Sequence, residues 1–170
     1  GFARFIKNNY LEWMDEIAKP GQHSSGRPLM SHEVMKTAVF PTLDAGEKVF
    51  LIVFDNFRYD QWRMMSKEIG DMFDIDDQLY FSILPTATQY ARNAIFSGLM
   101  PDRISQMFPD LWVDEDEDEG KNLNEEPLIR TQLDRFRRKD TFTYTKVNDS
   151  AAAEKMIQKF NEMKKRDLNV

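Results

Sequence analysis

Apolar and polar positions divide the chain into stretches of helical spacing broken by short runs that have none. Phe2, Phe5, Ile6, Trp13, Met14 and Ile17 fall near a 3.6-residue period, which predicts an amphipathic helix over 2–18. Pro20-Gly21 ends it, and the following residues to Pro28 have loop composition. Ser31 is placed to cap a short helix over His32–Phe40 that Pro41 closes, and 42–48 reads as a connector. Val49-Phe50-Leu51-Ile52-Val53-Phe54 differs in kind. Its apolar positions are continuous, and this predicts a strand covered on both faces, as in a parallel sheet. Helical spacing returns over Asn56–Gly70, and Leu79–Leu84 predicts a second strand stopped by Pro85. Thr88–Phe96 is helical with Gly98 as its stop, and Pro101–Phe108 adds a helical turn. An acidic loop over Asp114–Glu125 precedes a helix over Pro127–Arg138, a strand-like Thr141–Lys146 and a last helix over Ser150–Arg166 that Ser150 is placed to cap. Recurrent strand–helix alternation predicts an α/β fold, a mainly parallel sheet flanked by helices, preceded by a helical segment.

Composition narrows the setting without naming a function. The 170 residues suit one domain with or without an appendage, and 29 acidic against 23 basic residues leave a net charge of −6. Such a surface does not attract polyanions as a whole. The longest apolar run is far short of the roughly 20 residues needed to cross a bilayer. The chain has 0 cysteines, which removes disulfides and thiolate metal sites and accords with an expected cytoplasmic location. It opens at Gly1 without a methionine or a secretory pattern, so an excised piece of a longer protein is expected.

Two residues stand where chemistry is expected. Asp55 immediately follows the first apolar run, and ligand crevices of open α/β sheets lie outside the carboxyl ends of the strands. A carboxylate there suits a cation, although Asp also makes a good N-cap for the helix that follows. Thr88 opens a helix after the second strand candidate, among unpaired N–H groups and the positive end of the dipole, where phosphate and an alkoxide are both favoured. A capping role is again the simpler local alternative. If the two strands are parallel neighbours, both side chains face one crevice, and a carboxylate with a hydroxyl on one cation is a nucleophile arrangement for phosphoryl transfer.

These segments resemble a known family. VFLIVFDNFRYD at 49–60 and PTATQYARNAIFSGLMP at 85–101 are similar to the opening of the alkaline-phosphatase superfamily, in its PglZ-type branch. The second segment resembles the nucleophile motif of nucleotide pyrophosphatases and phosphodiesterases through Pro85, Thr86, Thr88, Ser97, Gly98, Leu99 and Pro101. The resemblance implies that Asp55 is a metal ligand, that Thr88 is the nucleophile and also contacts the metal, and that the metal is zinc. It implies a phosphodiester nucleotide or oligonucleotide as substrate. The helical segment before the strand, with Phe57, Arg58 and the Gln89–Asn93 string, looks most like the PorX-type response regulators of type IX secretion. That likeness implies a two-component output domain with a sensor kinase and a sigma factor as partners, and a homodimer as an option. On this reading 1–46 is a helical linker segment, and 47–170 is the N-terminal part of a PglZ/alkaline-phosphatase-like domain. One departure matters. The superfamily's two-zinc site uses further Asp and His ligands, and no His follows His32 in this chain. Truncation of a longer parent accounts for this, and so does a non-catalytic domain that docks protein partners.

Other features are read as structural. His23 and His32 precede the first strand, outside the family's ligand positions. Asp114, Asp116, Asp118 and Glu125 imitate a calcium loop, but Glu119 stands where its turn needs glycine. Arg130, Arg135, Arg137, Arg138 and Lys139 form a basic cluster that reads as a solvated helix face.

Overall fold

The computed structural model describes residues 1–19, 26–113 and 123–170. His23 and the acidic residues Asp114, Asp116 and Asp118 lie outside them. Helix α1 (Phe2–Ala18) leads to a 3-10 turn at Ser31–Glu33, a π-helical turn at Met35–Val39 and the short α2 (Phe40–Asp44). Strand β1 (Val49–Phe50), α3 (Tyr59–Ile69), α4 (Thr88–Ser97) and α5 (Pro101–Met107) follow. Then come α6 (Glu125–Arg135), β2 (Phe142–Thr143), α7 (Ser150–Met163) and β3 (Leu168–Asn169). The sheet runs β1-β3-β2 with both pairings parallel, Val49 and Phe142 flanking Leu168 and Phe50 and Thr143 flanking Asn169. The fold is therefore mixed α/β with a small parallel sheet, as the alternation of patterns implies.

The main core sits between α2, the sheet, α4 and α6. Met35, Val39, Phe40, Leu43, Ile95, Phe96, Leu128, Ile129, Leu133 and Leu168 are all buried there. Successive strand residues face opposite sides, so Leu168 enters this core while Asn169 points to the α7 side. Helix α7 lies on that second side, and none of its side chains is buried. A smaller cluster gathers Met30, Ile83, Ala91 and Ala94, with Tyr10, Met14 and Phe81 packed against it.

Several local expectations change. Of the apolar run Val49–Phe54 only Val49–Phe50 is strand, and Phe50, Ile52, Val53 and Phe54 are exposed and not covered on both faces. Leu79–Leu84 joins no strand of the sheet, and Phe81 makes a single parallel bridge to Met30. Its backbone donors go elsewhere: Phe81 N–H to Leu29 O, Ile83 N–H to Ser31 Oγ at 3.1 Å, and Leu84 N–H to the Tyr10 hydroxyl at 2.7 Å. Side chains satisfy what a ladder would have satisfied, and Phe81 spends its ring on Trp13, 5.4 Å between centroids. Ser31 accordingly caps nothing and is buried as an acceptor for Ile83. The last helix begins at Ser150, but its cap is Asp149, whose carboxylate accepts from Ala152 N–H at 2.8 Å. The central strand β3 is not among the elements the sequence predicts, because two residues are too few to display a period. It is held by Asp167, whose carboxylate accepts from both the N–H and the hydroxyl of Thr141 at 2.7 Å.

Candidate functional site

Parallel strands deliver their carboxyl ends to one edge of the sheet, and a crevice of about 590 Å³ opens there. Chain leaving β1 contributes Leu51, Val53, Phe54 and Asp55, chain leaving β2 contributes Tyr144–Asn148, and α4 and α6 supply Arg92 and Glu125.

Asp55 lies in a turn with Asn56, whose φ of 54° falls in the left-handed region that asparagine tolerates. It is not a helix cap, since α3 starts at Tyr59 with Arg58 in the N-cap position. Arg58 and Asp60 pair with each other at 2.7 Å on the exposed surface and do not enter the crevice. The Asp55 carboxylate instead accepts from Arg92 Nη1 at 3.1 Å while remaining 55% exposed. Thr88 is the first residue of α4, half-buried, and does not cap it; Ala87 holds that position and no side chain caps this end. Both simpler readings of the two residues are thus set aside.

The presumed neighbouring strands do not bring Asp55 and Thr88 together. Arg92, which bonds Asp55, lies four positions beyond Thr88 and therefore on the same helix face one turn along. Among the described residues Thr88 does not line the crevice and makes no direct bond to Asp55.

Arg92 is itself anchored. Its side chain is 15% exposed, and Nε approaches Glu125 Oε1 at 2.6 Å, an ion pair whose N–H is not aimed along the contact. Glu125, 3% exposed, also takes Lys146 Nζ at 3.2 Å and a short hydrogen bond from the Tyr144 hydroxyl. Burial, then the bond to Glu125 and its charge, push the Tyr144 phenol well above its ordinary range, so it remains a donor. Two carboxylates and two cations balance in the crevice. Glu125 opens α6, where the helix dipole adds to its stabilisation.

The resembling Ser97-Gly98-Leu99 stretch shapes the end of α4. Gly98 is left-handed at φ 63°, Ser97 Oγ accepts from Leu99 N–H at 3.2 Å, and Arg135 donates to the Ser97 carbonyl. The basic cluster is likewise structural where its contacts are resolved. Arg138 pairs with Asp140 at 2.6 Å and Asp44 at 2.8 Å, and Arg130 lies 4.8 Å over the Phe142 ring. His32 is distant in role as well; burial lowers its imidazole below the ordinary value. Glu125 belongs to this ion network and not to a calcium loop.

Arg92, Tyr144 and Lys146 were not singled out from sequence, and Glu125 was noted only as the last position of the calcium-loop imitation. Arg92 carried a signal, its spacing from Thr88, and Tyr144 and Lys146 follow a strand-like stretch. Glu125 carried none, since it closes a run of exposed-looking acids.

The family model for the BREX system PglZ alkaline phosphatase-like domain matches residues 34–168. The chain belongs to this family. No curated protein matches the sequence. PglZ domains are alkaline-phosphatase-like, a superfamily that is generally metal-dependent, which makes a phosphoester the substrate type suggested for this crevice. Zinc is held by a closed set of protein donors, or by three with one open position. Among the described residues no group of three or more His, Cys, Asp or Glu side chains is placed to hold a metal. Asp55 is one carboxylate and is already paired; Glu125 is fully engaged. These residues by themselves do not fit a zinc site. Among the described residues no helix is long and apolar enough to cross a membrane.

Proposed function

We propose that this PglZ domain hydrolyses phosphodiesters of nucleotides or oligonucleotides, with Thr88 as nucleophile and Asp55 as a metal ligand. The observation that supports it is the Asp55–Arg92 bond, which joins the turn beyond β1 to the helix face that carries Thr88. Thr88 Oγ attacks phosphorus; the Oγ–P bond forms as the ester P–O bond breaks, and the departing oxygen takes a proton. Water then cleaves the threonyl ester and restores the hydroxyl. The positive end of the α4 dipole favours the negative charge that gathers on the transferred group. Arg92 keeps Asp55 in position on that same side.

Zinc is the metal we assign to the intact parent, on Asp55 and Thr88 with the remaining donors from outside the described residues. In this reading 1–46 is a helical linker segment and 47–170 the N-terminal part of the domain; Met35, Val39, Phe40 and Leu43 belong to the main core. The parent is proposed to be a cytoplasmic PorX-type response regulator of type IX secretion, with a sensor kinase and a sigma factor as partners.

Thr88→Ala in the full-length parent is expected to lower kcat on a chromogenic phosphodiester by a factor on the order of 10³ or more, the scale of nucleophile removal. KM should move little. Unchanged turnover would refute the assignment. A second reading, a non-catalytic module that docks a kinase, a sigma factor or a second copy, draws on exposed apolar side chains over 52–79, among them Ile52, Phe54, Met64, Phe73 and Leu79. A parent that cleaves no phosphoester yet retains its partners would favour it.

A further inference from the structure

Between α7 and the chain of β2 runs a groove of about 410 Å³. Strand residues alternate in direction. Phe142 and Tyr144 pack against the main core, so Thr143 and Thr145 form the floor of the groove. Its wall is the face of α7 that carries Lys155, Lys159 and, just beyond the helix, Arg166. Floor and wall are thus polar where a helix that covers a sheet is ordinarily apolar. No side chain of α7 is buried, so this face is not packed shut against the strand. Among the described residues neither Lys155 nor Lys159 has a carboxylate partner, and Glu162, the acid that lines the groove, is paired with Lys165 at 2.7 Å. On a chain of net charge −6 this is a local reversal of sign. A cleft lined by one sign of charge focuses the field within it. The groove also has a destination. Tyr144, Thr145 and Lys146 line both it and the crevice that holds Asp55 and Arg92.

From this juxtaposition we infer that the groove binds the sugar-phosphate backbone of a single nucleic-acid strand and leads it to the crevice. Lysine, arginine and threonine side chains are the usual contacts to phosphate oxygens. A positively charged groove that tracks the backbone is the common device of single-strand binding. The gap between one helix and one strand admits a single chain and not a duplex. Tyr144, the aromatic residue of the groove, is packed edge-on to Phe96 and donates to Glu125, so recognition is through the backbone and independent of sequence. A mononucleotide fills the crevice alone and leaves Lys155, Lys159 and Arg166 unused, so the groove selects for chain length. As a substrate subsite it rests on the phosphodiester reading above and narrows it to oligonucleotides; as a strand-binding groove it stands independently.

The probe is a fluorescent oligothymidylate of roughly twelve nucleotides, within the span of single-strand sites. Its anisotropy is followed as the 170-residue chain is added at several salt concentrations. Replacing Lys155, Lys159 and Arg166 together by alanine should weaken binding at least tenfold. It should also reduce the slope of log K against log salt by about 2, at about 0.7 for each of three phosphate contacts. All three side chains are exposed, so Tm should not change. Alanine at Lys7, Arg63 and Lys67, exposed cations outside the groove, should change the affinity little. Thymidine monophosphate should bind at least tenfold more weakly than the oligomer. Absence of binding, equal losses in the two triple variants, monophosphate binding as tightly, or binding to anionic phospholipid vesicles without binding to the strand would overturn the inference. A Thr88→Ala parent that loses turnover while the chain ignores the strand would sink the groove and leave the nucleophile standing. A chain that binds the strand while the Thr88→Ala parent keeps its turnover would do the reverse.

Discussion

Alanine at Glu125 is expected to lower the stability of the folded chain by about 3–5 kcal/mol, the usual cost of removing one partner of a buried ion pair. Glu125 is nearly inaccessible and serves Arg92, Lys146 and Tyr144 together. Its loss takes the 2.6 Å counter-ion from the largely buried Arg92 guanidinium and the acceptor from the Tyr144 phenol. Urea denaturation of the chain and of Glu125→Ala measures the difference. Glu125→Gln keeps the shape and one acceptor, so it should lose distinctly less. If the alanine variant unfolds within 1 kcal/mol of the parent chain, on the order of a solvent-exposed pair, the network is not the structural anchor of the crevice.

The second large effect is expected at Gly98. A Cβ added there would lie 2.2 Å from Gln132 Nε2 and 2.8 Å from its Cδ, and Gln132 is fully buried. Left-handed backbone adds a conformational cost of about 1–2 kcal/mol for a residue with a Cβ. Overpacking adds about 1–3 kcal/mol more. Gly98→Ala should therefore destabilise by about 2–5 kcal/mol, summing those two ranges. Gly46 is the control: its φ is 81°, but nothing lies within 4 Å of an added Cβ. Gly46→Ala should show the conformational cost alone. Adding Gln132→Ala to Gly98→Ala should recover part of the loss, since it clears the clash but not the strain. Equal losses at the two glycines would show that the Gln132 contact does not matter.

How far the sequence discloses this molecule depends on the length of each signal. The six-residue apolar run locates β1, though only Val49–Phe50 is strand and Asp55 lies in a turn beyond it, and the 3.6-residue period places α1, α3, α4 and α7. Leu79–Leu84 has strand composition yet lies outside the sheet, because Tyr10, Ser31 and Leu29 supply the partners its backbone needs and none of them is visible from local pattern. Strand β3 is too short to show alternation, although it is the centre of the sheet. Thr88 was legible because helix starts are; that Arg92, one turn along, bonds Asp55 is a tertiary fact. Glu125 illustrates the limit most plainly. Amid Asp114–Glu119 and Glu126 it reads as a solvated acid, and only the approach of α4 and the β2 end turns it into a buried counter-ion.

The central claim is that Thr88 and Asp55 serve one phosphoester site, and acid-quenched trapping on the full-length parent tests it most directly. Rapid mixing with a phosphodiester, quenching, and peptide mass spectrometry should find the transferred group esterified to Thr88, and no adduct in Thr88→Ala. Asp55→Asn should greatly slow its appearance. An adduct on a different side chain, or turnover that persists without Thr88, would contradict the account.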